Sequence, residues 1–92
     1  MAIFGNIKTE EMVQENDKTR IDVSDSFVSD EAPITLIEVQ PDAAANFVDV
    51  TSLGYIDWSY STDGDKAISL RITTDGAPQV FTATLPVISA AD

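Results

Sequence analysis

Three aspartates in the second half of the chain stand next to glycine or one residue from it: Asp63, Asp65 and Asp75, around Gly64 and Gly76. Carboxylates gathered in turns are the material of a calcium site, but calcium takes roughly six to eight oxygens and a calcium loop ends on a bidentate Glu. The stretch after Asp65 supplies no such set, so turn chemistry, in which Asp and Gly tolerate left-handed backbone, accounts for these residues better. Asp57 is the acid embedded beside aromatics, between Ile56 and Trp58. Paired with a second carboxylate it could drive glycoside hydrolysis, yet residue alternation puts it on a polar face, where a solvated or turn-bonding role is expected. Trp58, Tyr55 and Tyr60 could stack a sugar ring, but Tyr55 falls on the face opposite the other two, which leaves core packing as the better account. No Gly-x-Ser-x-Gly elbow or Ser-x-x-Lys pattern presents a nucleophile, and four scattered glycines build no phosphate loop. The expectation is a non-enzyme with no catalytic, cofactor-binding or metal-binding residue. Arg71 and Lys66 are expected to pair across strands with the abundant acids.

Composition narrows the field further. The chain has 92 residues, with 16 Asp+Glu against 5 Lys+Arg, a net charge of −11, and neither His nor Cys. Lack of Cys excludes a disulfide framework and a thiol nucleophile, and lack of His removes the usual neutral-pH base and a common metal ligand. So acidic a chain is unsuited to holding nucleic acid by its phosphates, or a membrane through basic residues. An apolar share of 43% supports a folded core, but in one small domain that core is thin. Sheet packing or neighbouring subunits must then supply stability. Met1 to Lys8 lacks the basic and apolar regions of a signal peptide, so work outside a cell would need another route of exit, such as assembly into a particle.

These side chains must be positioned by strands. Residues 1–18 are polar and acidic, with Ile3, Phe4 and Ile7 as a small apolar group and one helical turn available from Thr9. They are expected to form an N-terminal arm, either frayed or ordered on a partner. From Thr19 the period becomes two: Ile21, Val23 and Phe27 alternate with polar residues. Asp30–Pro33 reads as a turn, Ile34–Val39 as a strand, Ala43–Ala45 as a loop or brief helical turn, and Phe47–Val50 as strand again. Ile56, Trp58 and Tyr60 share a face, as do Ile68, Leu70 and Ile72, and then Phe81, Ala83, Leu85 and Val87. Asp63–Lys66 and Asp75–Pro78 read as the turns between them, the second closing a hairpin. Residues 19–92 are therefore expected to form six or seven strands of an all-β, immunoglobulin-like antiparallel β-sandwich. Trp58 is expected to anchor the core, its truncation to Ala costing roughly 3–5 kcal/mol.

From Tyr55 to Ile88 the pattern resembles a family. Tyr60, Gly64, alternating Ile68, Leu70 and Ile72, the polar Asp75-Gly76 turn and a last strand from Phe81 to Val87 are similar to the second half of polycystic-kidney-disease-type (PKD) and related immunoglobulin-like domains. The resemblance implies that Tyr60 holds the sandwich-corner position, where a tyrosine hydroxyl bonds back to the main chain. The run Tyr55 to Gly64, with the strand after it, also resembles segments of tailed-bacteriophage structural proteins. That second resemblance implies a virion protein in multiple copies, decorating or cementing the capsid or joining the head–tail connector, with other virion subunits as partners. The alternative is a binding module of a secreted or cell-surface bacterial protein that recognises protein or carbohydrate. A third reading is a cytoplasmic domain whose acidity mimics a polyanion.

Overall fold

The computed structural model describes residues 3–28, 34–74 and 77–89. The chain forms β1 (Ile3–Phe4), β2 (Val13–Gln14), β3 (Lys18–Asp22), β4 (Phe27–Val28), β5 (Leu36–Gln40), β6 (Val48–Asp49), β7 (Tyr55–Ser59), β8 (Gly64–Thr74) and β9 (Ala77–Ile88). It is all-β, as the alternation requires. One sheet runs β2-β9-β8-β5-β6; opposite it, β3 pairs with β7 and β1 with β4. A bridge between Lys8 and Asp22 links these last two pairings, with Lys8 N–H donating to Asp22 C=O at 2.8 Å and Asp22 N–H to Lys8 C=O at 2.9 Å.

The core lies between the layers. Ile68, Leu70, Ile72 and Thr74 from β8 are fully buried. Val39 sits opposite Leu70, and Ile37 opposite Ile72. Leu85 and Val87 come from β9, and Ile21 and Val23 close the core from the facing layer. The buried apolar residues of these strands, Val39, Ile68, Leu70, Ile72, Leu85 and Val87, are all β-branched or Leu, the composition a pleated, half-buried surface favours. Burying Ile68, Leu70 or Ile72 contributes about 1.5–3 kcal/mol each. The β8–β9 ladder runs unbroken from Gly64 opposite Val87 to Thr74 opposite Ala77. Twelve strand residues extend roughly 40 Å, which accounts for most of the 50 Å long axis of a body only 21 × 19 Å across.

Several expectations are revised. Gly64 to Lys66 belong to β8, so the bend before it falls at Ser61–Thr62, and Gly64 adopts φ 107° at the strand's first residue. Ala77 and Pro78 are strand residues; Asp75, Gly76 and the Asp30–Pro33 turn lie outside the described residues. The residues after Thr9 form no helical turn. The segment expected as an arm carries β1 and β2, packs Ile3 and Ile7 on the core and buries Val13. Within it, Gly5 lies flat on the Phe81 ring, and a Cβ there would overlap the ring carbons. From Lys18 onward the described residues form seven strands, within the six or seven expected; the two further strands, β1 and β2, lie in the first 18 residues and have two residues each, too few for a period to register.

β2 runs parallel to β9, Val13 opposite Val87 and Gln14 opposite Ile88. Glu15 N–H donates to Ile88 C=O at 2.9 Å. Even-numbered residues of β9 therefore turn their backbone groups away from β8. Val80, Thr82 and Thr84 present both donor and acceptor along this edge, whereas Pro78 and Pro86 have no N–H to present. Beyond the contact with β2, no strand among the described residues pairs there.

Candidate functional site

Pro41 has no N–H for the ladder, so β5 ends at Gln40, opposite Ser69. The chain leaves the sheet and returns at Val48, and the segment between faces the connection from β7 to β8. A groove of about 530 Å³ opens between the two. Asp42, Ala44, Ala45, Asn46 and Val48 line one side, and Trp58, Ser59, Tyr60, Ser61 and Thr62 the other. Three contacts hold the walls. The Tyr60 hydroxyl donates to Pro41 C=O at 2.6 Å, Gln40 Nε2 donates to Ala45 C=O at 2.8 Å, and Ala45 N–H donates to Asp42 C=O at 2.9 Å. Asn16, at φ 70°, donates its N–H to Tyr60 C=O at 2.7 Å and ties the β2–β3 turn to the same corner.

Tyr60 is 2% exposed, and burial, helped by the nearby Asp42 charge, pushes its phenol up to about 12. It is a neutral donor at any physiological pH. The hydroxyl-to-backbone bond is the one the PKD-like resemblance implies for this position.

Trp58 departs from its expected role. It is only partly buried, packs against the core from the rim and lines the groove. Alternation gave its side correctly, since it stands opposite the buried Thr19 on β3. Its place at the last inward position of β7, however, puts it at the sandwich mouth, and the largest buried side chains are Ile21, Ile68, Leu70, Ile72 and Leu85. Truncation at a rim position is then worth about 1.5–3 kcal/mol, less than a core anchor would lose.

The other candidates fall elsewhere. Asp57 and Tyr55 lie on the outer side of β7, away from Trp58. Arg20 donates to both Asp57 oxygens, at 2.9 and 3.3 Å, and its guanidinium lies 3.9 Å over the Tyr55 ring. This guanidinium holds the Asp57 carboxyl below the ordinary carboxylate range. Arg71 pairs across strands with Glu38 at 2.9 Å, as expected, and stacks 4.1 Å over Phe47. Lys66 instead donates to the Thr62 hydroxyl at 2.7 Å. Asp63 accepts from the Ser89 hydroxyl at 2.7 Å, Asp65 stands opposite Pro86, and Asp75 lies outside the described residues. Among the described residues no three acidic side chains converge as metal ligands would.

Sequence reasoning missed the 42–46 wall. Its sole signal is the run of small residues before Asn46, where Ala44 and Ala45 leave room that larger side chains would fill.

The groove combines one indole with carboxylate, amide and hydroxyl groups, a lining suited to a ring-shaped ligand with an apolar face and polar edges. No family model and no curated protein matches the sequence. Solved structures do match. A study of the promiscuous specificity of carbohydrate-binding modules from the β-sandwich superfamily provides one, with TM-score 0.82 at 21% identity over 98% of this chain. This chain spans 36% of that one's length. The PKD1 domain of Epp from Vibrio anguillarum provides another, with TM-score 0.71 at 18% identity over 98% of both chains. Neither is described as a virion protein, so the phage expectation draws no support from them. At these identities the likeness establishes architecture: the chain has the β-sandwich fold shared by PKD domains and carbohydrate-binding modules.

Proposed function

We propose that the chain is a non-catalytic binding module, part of a secreted or cell-surface bacterial system, and that it takes carbohydrate in the Trp58 groove. The observation that carries this reading is the position of Trp58, an indole at the wall of an open groove otherwise lined by Asp42, Asn46, Ser59, Ser61 and Thr62. Sugar rings bind proteins by laying their C–H faces on an aromatic ring while their hydroxyls hydrogen-bond at the edges, and each requirement has a candidate here. Architecture shared with carbohydrate-binding modules fits the same reading.

The test is a glycan array followed by titration calorimetry on the sugars retained. Trp58→Leu keeps apolar volume while removing the ring, and is expected to weaken binding roughly two- to tenfold, given that stacked aromatics are worth about 0.5–1.5 kcal/mol beyond their buried area. Circular dichroism on the same sample checks that the sheets persist. Retention of no glycan, or equal binding by Trp58→Leu, overturns the reading.

A further inference from the structure

The charges around the groove are unevenly placed. Most carboxylates described in detail are taken: Asp22 by Ser24, Asp49 by Thr51, Asp57 by Arg20, Glu38 by Arg71, Glu10 by Thr19 and Asp63 by Ser89. Asp42 is different. It lines the groove, and no donor among the described residues reaches its carboxylate. No Lys or Arg lines the groove with it. The cation that touches a lining residue is Lys66, bound to the Thr62 hydroxyl and flanked in sequence by Asp65 and, three residues back, Asp63. An anionic sugar entering here would meet no partner charge and would face a chain of net charge −11. A cation would meet an unpaired carboxylate and an indole, two groups that attract it by charge and by the ring quadrupole.

Resting on the carbohydrate reading above, we infer that the groove selects sugars bearing a free, protonated amino group, with Asp42 as the counter-charge and Trp58 as the stacking wall. The ligand class is a deacetylated amino-sugar oligomer. N-acetylation would remove the charge, and uronic or sulfated sugars would reverse it.

The experiment is calorimetry on the full chain with three probes: short oligomers of glucosamine, of N-acetylglucosamine, and of galacturonic acid. At about pH 6 the amines are protonated and a carboxylate is ionised. Glucosamine oligomers are expected to bind roughly tenfold tighter than their acetylated counterparts, with galacturonic acid weakest. The preference should shrink as salt is raised, and Asp42→Asn should bring the two amino-sugar affinities together. Acetylated oligomers that bind as well as glucosamine, or a preference that survives Asp42→Asn, overturn the inference but leave the carbohydrate reading intact. Binding of none of the three probes, with retained sugars found elsewhere on the array, also overturns it; an array with no hit overturns the carbohydrate reading itself. An oligolysine peptide is the control for charge alone: if it matches glucosamine and loses binding equally in Asp42→Asn, the groove reads a cation and not a sugar, and the inference fails.

Discussion

The hydroxyl of Tyr60 and the carbonyl of Pro41 meet where water scarcely reaches, so each leaves the other unsatisfied if it is lost. Tyr60→Phe keeps the ring and removes the donor. It is expected to lower stability by about 1–3 kcal/mol in denaturant unfolding, the cost of a stranded buried acceptor. A pH signature accompanies the bond. The phenol is held up to about 12 in the folded chain against an ordinary 10.0, so between those values the native state keeps a proton that the unfolded state has released. The stability this contributes is complete below the ordinary value and is lost as pH climbs through the upper one. Thermal scans should therefore show an alkaline decline that flattens in Tyr60→Phe. Because this corner also fixes the 41–45 wall, Tyr60→Phe should weaken the proposed glycan binding as well. Tyr60 could be placed from the sequence through its spacing to Gly64 and the strand beyond, whereas the rim position of Trp58 could not. Alternation says toward which side a residue points, and depth depends on how far the opposing strand continues.

Strands and their connections tell a similar story. Ile68, Leu70, Ile72, Leu85 and Val87 were legible as one buried face because β8 and β9 are long enough to repeat a period of two several times. β1, β2, β4 and β6 were not, since pairs of residues carry no period and their placement depends on partners far along the chain. The groove was hidden for the same reason: its walls come from separate connections, brought together only when β5 docks on β8 and β7 on β3. Gly5 gives a measurable case of long-range fit. A methyl at that position must displace the Phe81 ring, so Gly5→Ala is expected to lose about 1–3 kcal/mol as an overpacked site. Phe81→Leu, which opens space at the same contact, should recover part of the loss when combined with Gly5→Ala, and a double-mutant cycle on denaturation midpoints measures the coupling. Strictly additive effects would mean that the segment around Gly5 does not rest on β9.

Over the whole molecule, a net charge of −11 is spread across a narrow body, and self-repulsion of that size opposes compaction. The ion pairs Lys8–Asp25, Arg20–Asp57 and the more covered Arg71–Glu38 work in the other direction, but exposed pairs such as the first two contribute only about 0–1 kcal/mol each. Screening should therefore relieve more repulsion than it costs in attraction. Raising sodium chloride from low to physiological strength is expected to increase the melting temperature by about 5 °C, equivalent to roughly 1 kcal/mol for a domain of this size. A melting temperature that falls steadily with salt would show that the pairs dominate.

The outer margin of β9 bears on crowding. Its exposed rungs at Val80, Thr82 and Thr84 are an invitation for another strand to join, but the prolines on either side keep the offer short. Two copies meeting margin to margin could zip only a few bonds before stalling, and each would bring its own negative field to the encounter. Concentrated samples should thus stay clear of fibre growth, which light scattering over days at high concentration would check.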